Sequence, residues 1–231
     1  GGEPVKALML KSHYGINLRE GTASLILAKT INMIALVIFL IGGFALMIQA
    51  QALPQVYEYV AGAGLLAFAV GVFLFFVIQR LSITSLTGTW LSQWRIGRRI
   101  ESVLHHIHDM DERLVEFYTQ TRGRFAGALF LALANWMLGV VEIYYALVFL
   151  DRPVTWAEAW IIEAVAQMVR SALFFIPAAI GAQEGAMVLI GTAITGSPTL
   201  GLATALVRRL REVIWIAWGL VVFYILKSAE A

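Results

Sequence analysis

Glu163, Gln167 and Arg170 stand at i, i+4 and i+7 in a mostly apolar stretch, a spacing that aligns all three along one face of a helix. Gln183 and Glu184 follow a glycine turn, where a carboxylate suits the positive end of a helix dipole. Arg208, Arg209, Arg211 and Glu212 then enter the next apolar run, with Arg208 on the same face as Arg211 or Glu212. A charge at the centre of a membrane helix costs about 2.5 kcal/mol or more, so such residues face a bundle interior or a water-filled cavity. Two chemistries fit this pattern. Guanidinium groups bind phosphate bidentately, so Arg170 and the 208–211 cluster could line a path for an anionic lipid headgroup. Internal pairing is the alternative, Glu163 with Arg170 and Glu184 or Glu212 with the arginines, holding helices together. The residue types leave both open, and Glu142, read as lying near the outer boundary of its helix, ranks below the others.

No catalytic constellation is legible. The histidines are His13, His105, His106 and His108, none of them within an apolar span, and no acid–base pair is defined by spacing. His105, Asp109 and Glu112 share a helical face on which a metal site is conceivable, but a solvated surface face is the stronger reading. The expectation is no metal and no cofactor. With zero cysteines the chain has no disulfide and no cysteine-ligated site, and a net charge of +2 is too small to suggest nucleic acid as a partner.

The elements that position these residues belong in a bilayer. Of 231 residues 60% are hydrophobic and 14% charged, far from the ~25% charged of soluble domains, so a water-soluble fold could not hide the apolar surface. Apolar stretches at about 23–48, 60–78, 125–150 and 203–226 each reach the ~20 residues that cross a hydrocarbon core. Gly64, Ala67 and Gly71 in the second would let a neighbouring helix approach closely. Residues 155–198 are apolar but interrupted by Pro177, Gly181, Gly185 and several charges, which predicts two helical pieces, a re-entrant hairpin or broken helix, with the break running from Ile176-Pro177 through Gly185. The segment 79–124 concentrates arginine and carries an amphipathic pattern through Ile100, Val103, Leu104, Ile107, Leu114 and Phe117. Positive charge marks the cytoplasmic side, so this loop is expected in the cytoplasm and the whole chain as one multi-pass domain of residues 1–231. The fold class predicted is all-α, a polytopic transmembrane bundle.

An internal repeat adds to this. Residues 1–10 can be laid beside 181–190, each with a glycine turn, a glutamate (Glu3 or Glu184) and a short apolar helix. Gly15 follows Glu3 at the separation at which Gly196 follows Glu184, and each copy leads into a span with cations near its start, Lys29 in one and Arg208, Arg209 and Arg211 in the other. Under the expected topology the two halves are inverted, a design that recurs in transporters with broken helices near the midplane. Lys29 also has a plainer reading as a side chain that snorkels to the interface.

Phe174-Phe175-Ile176-Pro177-Ala178-Ala179-Ile180-Gly181-Ala182-Gln183-Glu184-Gly185, followed by Leu206-Val207-Arg208-Arg209-Leu210-Arg211-Glu212, resembles the lysylphosphatidylglycerol synthase transmembrane-region family, also called flippase-like domain proteins. The nearest likeness is to the branch associated with hopanoid biosynthesis. The opening Gly1-Gly2-Glu3-Pro4-Val5-Lys6-Ala7-Leu8 is similar to a motif that normally follows further helices in that family, which implies that the sequence is truncated upstream. The resemblance implies a bacterial inner-membrane (plasma-membrane) protein, a lipid translocase or lipid-handling transporter for phospholipid, hopanoid or polyprenoid-linked lipid. An enzyme acting on a membrane lipid, or an accessory subunit beside lipid-biosynthesis enzymes, are the alternatives.

Overall fold

A computed structural model of the chain describes residues 18–50, 54–80, 122–173 and 181–228. These form the helices α1 (Leu18–Ala50), α2 (Gln55–Arg80), α3 (Arg122–Phe149), α4 (Trp156–Ala172), α5 (Ala182–Thr195) and α6 (Pro198–Ser228), and there is no strand among the described residues. Most of the loop at 79–124, including the three central histidines and the amphipathic pattern, lies outside the described residues, as do Glu3 and the first copy of the repeat.

Local chemistry explains where the helices stop and start. Pro54 precedes α2, where its missing N–H costs nothing. At the end of α3, Asp151 adopts a left-handed φ of 56°, Arg152 N–H donates to Leu147 O at 3.0 Å and Asp151 N–H to Val148 O at 3.1 Å. This is the Schellman closure of a helix, and Pro153 prevents continuation. Thr155 then opens α4 with a capping box: Glu158 N–H donates to Thr155 Oγ1 at 3.2 Å, and Thr155 N–H donates to Glu158 Oε2 at 2.7 Å. Gly181, with φ +82°, opens α5, and Gly196, with φ +77°, closes it. Both are conformations that a side chain would strain. Helix α5 resumes at Ala182, so Gly185 lies inside it and the break predicted to run through Gly185 ends four residues earlier. A carboxylate at Glu184, rather than glycine at 185, is what restarts the helix, because it accepts from Gly181 N–H at 2.8 Å.

The chain divides into two compact units. The first comprises residues 1–38 and 66–136, the second residues 39–65 and 137–231. In the first unit Thr30, Ile31, Ala35 and Leu36 of α1 are buried. The second unit is built around the aromatic end of α4. Trp160 stacks on Phe39 with ring centroids 5.5 Å apart and donates from Nε1 to Phe39 O at 3.1 Å. Gly42 and Gly43 make room for it: a Cβ on Gly42 would sit 2.8 Å from the Trp160 ring, and one on Gly43 only 2.5 Å from Ala164 Cβ. Gly64 serves α4 in the same way, with Met168 Sδ 2.9 Å from the position of a Cβ, whereas Gly71 has open space around it and Ala67 is exposed. Of the three small residues expected to admit a helix in α2, the geometry uses one.

Apolar exposure is what makes this a membrane protein. Ser24–Ala50, Gln55–Leu74 and Arg122–Phe149 are long and apolar enough to cross a membrane. In α6, by contrast, charge fills residues 208–212, and the apolar stretch 213–225 beyond it is exposed throughout, Trp215, Trp218 and Tyr224 included. Helices α4 and α5, with 17 and 14 residues, are ~26 and ~21 Å long and fall short of a ~30 Å hydrocarbon core.

Helices α5 and α6 meet backbone to backbone. A Cβ on Gly201 would lie 2.7 Å from Met187 O and 2.8 Å from Val188 Cα, and one on Gly191 would lie 2.9 Å from Gly201 Cα. Backbone cannot step aside as a flexible side chain can. Gly201→Val should therefore destabilise the protein by about 3 kcal/mol, visible as a lowered thermal midpoint in detergent, while Gly71→Val, facing open space, should leave it nearly unchanged.

Candidate functional site

The site grows from helix α6. Arg208, Arg209, Arg211 and Glu212 occupy little more than one turn, so their side chains fan out toward three other helices of the same unit. Arg208 is 2% exposed, and its Nη2 donates to Glu163 Oε2 on α4. Glu163 is equally buried and accepts from Gln167 Nε2 at 2.8 Å through its other oxygen. Gly139 on α3 admits this carboxylate: a Cβ there would stand 2.6 Å from Glu163 Oε1. Arg209 pairs with Glu184 on α5 and, through Nη1, with Glu212 Oε2 at 2.8 Å. Glu212 is shared, its Oε1 accepting from Arg170 Nη1 at 3.0 Å. Arg211 Nη1 lies 2.5 Å from Glu142 Oε2 on α3, and Arg208 Nη2 lies 3.6 Å from the same oxygen. Neither oxygen of Glu142 has an aligned hydrogen bond, so these are ion pairs held by proximity.

The nine residues singled out in this region, Glu163, Gln167, Arg170, Gln183, Glu184, Arg208, Arg209, Arg211 and Glu212, all fall in the second unit, and with Glu142 the ionisable ones form two separate ion-paired sets, Arg208 and Arg211 with Glu142 and Glu163, and Arg170 and Arg209 with Glu184 and Glu212. Lys29 falls in the first unit and is exposed, while Glu3 lies outside the described residues. The expected pairing of Glu163 with Arg170 does not form. Seven residues of helix separate them by ~10 Å, and Arg170 in the last turn of α4 reaches Glu212 instead. Each arginine is already matched to a carboxylate, so none stands as a bare phosphate grip.

Glu142 is the residue that sequence reasoning set aside. Its signal was a charge count. Arg170, Arg208, Arg209 and Arg211 face only Glu163, Glu184 and Glu212 in the segment first considered, and a low-dielectric interior demands the fourth carboxylate that Glu142 supplies. Gly139, three residues before it on the same face of α3, is the second clue.

The balanced network leaves some hydrogen-bonding capacity unused. Arg208 Nε and Nη1, and Gln183 Oε1, are buried without a partner among the described residues. Arg208 and Gln183 line one crevice between α5 and α6, with Met187 and Ala205 as its apolar wall and the Arg209–Glu184 pair at its more exposed rim. Each ion-paired set has one half-exposed arginine, Arg170 at 41% and Arg211 at 45%.

A family model described as the lysylphosphatidylglycerol synthase TM region matches residues 1–219, which takes in every helix of the site. The chain belongs to that family. No curated protein and no solved structure matches it. As a lysylphosphatidylglycerol synthase TM region, the chain is a helical membrane protein of lipid handling. The family match covers Glu142 and the 208–212 cluster alike.

Removing one member of the central pair isolates its partner in a low dielectric. Glu163→Ala should cost about 3 kcal/mol or more. Combining Glu163→Leu with Arg208→Leu should cost clearly less than the sum of the single changes, as measured by a double-mutant cycle on thermal or denaturant unfolding in detergent.

Proposed function

We propose that this protein is a lipid translocase, flippase-like and non-enzymatic, in which a lipid headgroup moves along the charged face assembled by α3 to α6. The observation that carries this reading is the pair of ionic clusters: eight ionisable side chains drawn from four helices of a membrane protein, one cluster buried at Arg208 and Glu163 and half-exposed at Arg211, the other half-exposed at Arg170. Intramembrane charges grouped in this way mark substrate paths more often than ordinary packing. Pair-to-pair exchange would let a polar headgroup replace one ionic contact with another at each step, without stranding a charge. Helices shorter than the bilayer core, α4 and α5, supply a re-entrant segment whose ends present polar groups at depth. The arginine-rich loop at 79–124 belongs on the cytoplasmic side of a bacterial inner membrane, by the positive-inside rule. Phospholipid, hopanoid and polyprenoid-linked lipid are the candidate substrates, and family likeness rather than site geometry suggests the hopanoid association.

An accessory, non-transporting role is favoured by a different observation, the complete pairing of the four arginines with four glutamates, which is what a purely architectural network would show. Transport separates the two. In proteoliposomes of the complete protein, fluorescent lipids should cross between leaflets. Arg170→Ala and Arg211→Ala, at the half-exposed arginine of each set, should slow this about tenfold while the fold persists, the loss of one charge-assisted contact each. An intact protein that moves no lipid overturns the translocase reading and leaves the accessory one.

A further inference from the structure

We propose that the aromatic side chains at one end of the second unit, Tyr59, Tyr145, Phe149 and Trp156, form a collar that docks on the headgroup and carbonyl layer of a bilayer and so holds the two ionic clusters at mid-depth in the membrane. The partner is the lipid surface itself. The assignment stands whether or not the protein moves lipid.

The exposed face of α3 changes character along its length. Leu138, Tyr145 and Phe149 stand at i, i+7 and i+11 and continue one exposed face of a helix long and apolar enough to cross a membrane. That face is aliphatic at Leu138, aromatic over its last turns, and gives way at once to the exposed charges of Asp151 and Arg152. Apolar, aromatic, charged is the order of environments a helix meets as it leaves hydrocarbon for water, and tyrosine and tryptophan settle at the headgroup level between them. Trp156 is held ready for that level. It is 50% exposed, yet its ring stacks on Tyr144 with centroids 4.1 Å and planes 7° apart, and the capping box at Thr155 and Glu158 fixes the turn that carries it.

A second turn lies at the same end. Gly42, eight residues before the end of α1, meets Trp160, four residues into α4, and Gly62, seven residues into α2, meets Phe44, six residues before the end of α1. The α1–α2 and α3–α4 connections therefore share one end of the unit. Tyr59, four residues into α2 and 74% exposed, adds its ring to those of Tyr145 and Phe149, which are 49% and 81% exposed.

The collar sets a depth. Glu142 lies seven residues before Phe149 and Glu163 seven residues after Trp156, each about 10 Å along its helix from a ring. Glu163 and Arg170 of α4 pair in the same order with Arg208 and Glu212 of α6, so α6 runs beside α4 and away from the collar. Arg170 and Glu212 each stand fourteen residues from the start of their helix, about 21 Å. The two clusters thus occupy about 10 to 21 Å below the collar, around the middle of a ~30 Å hydrocarbon core. Helix α6 agrees: its 31 residues measure about 46 Å, the thickness of a bilayer with its headgroups. Raising the clusters to a membrane surface would carry the rings about 10 Å out into water.

The test uses the complete protein in phosphatidylcholine vesicles. The sequence holds no cysteine, so Leu138→Cys, Phe149→Cys and Arg152→Cys can each carry a nitroxide label on an exposed site. Electron paramagnetic resonance then compares contact with dissolved oxygen, which concentrates in hydrocarbon, and with a water-soluble nickel chelate. Nickel contact should dominate at Arg152, oxygen contact at Leu138, and Phe149 should fall between. In bilayers of short, medium and long acyl chains the depth of the Arg152 label relative to the phosphates should stay constant. Combining Tyr145→Leu with Phe149→Leu, which leaves the Tyr144–Trp156 stack in place, should let that depth drift by at least about 3 Å, two residues of helix rise. Nickel contact at Leu138 equal to that at Arg152 overturns the placement. Exclusion of both reagents from Phe149 means that protein, a second copy for one, covers the rings, and it overturns lipid as the partner. A depth that holds constant in the double variant overturns the anchoring role. The profile of the three labels decides the placement even where the double variant is unstable, and lipid movement is not part of the readout, so the outcome is separate from that of the transport assay.

Discussion

A guanidinium cannot discard its charge, and Arg208 is buried inside a protein whose surroundings are apolar. The groups around it answer that constraint. Glu163 is placed against it from α4, Gln167 steadies the free oxygen of Glu163, Glu142 approaches from α3, and Gly139 omits a side chain so that the carboxylate can fit. Because each carboxylate brings a charge of its own, the requirement propagates outward. Arg211 answers Glu142 and closes that set, which ties α6 to α3 and α4. A second, separate set beside it joins Arg209 to Glu184 and Glu212, with Arg170 completing it, and ties α6 to α5 and α4.

Such a network specifies geometry more than it adds stability. Desolvating eight charges offsets much of their mutual attraction, so an apolar interior of equal volume could be as stable. What the charges add is selectivity, since each arginine accepts only the helix face that carries its carboxylate. The surroundings agree with this division of labour: α6 is ionic over residues 208–212, then presents large apolar side chains on every side over 213–225, a surface suited to lipid. Within one helix the chain passes from a segment that must be enclosed by protein to one that needs only bilayer.

Much of this was legible in the sequence because the signals were local. Helix type and the approximate extent of the long apolar helices follow from runs of apolar residues, and turn chemistry at Pro54, Thr155 and Glu158 acts within a few positions. The nine residues of the 163–212 region declared themselves by being ionisable or amide-bearing where lipid is expected. What stayed hidden was which partner each would choose. Glu163 and Arg170 share a face and look paired, but helix rise separates them, and the true partner of Glu163 lies 45 residues away on α6. Glu142 ranked low because it is the one carboxylate on its own helix and was read as lying near the outer boundary, and only its arginine partners on α6 give it a role. Gly64 and Gly71 look interchangeable in sequence, yet only the former meets a neighbour, since contact depends on where α4 lies. The break before α5 was placed by glycine content, whereas a carboxylate reaching back to Gly181 decides it.

The crossing of Gly191 and Gly201 has a mechanical consequence. Backbones this close leave no slack, so the glycines set the separation of the two helices. On α5 the touching stretch runs from Met187 to Gly191, and Glu184 stands one turn before it, while Arg209 lies eight residues beyond Gly201 on α6. The Arg209–Glu184 pair therefore bridges the helices just past the place where their backbones touch, and the gap that it spans is the one that the missing side chains dictate.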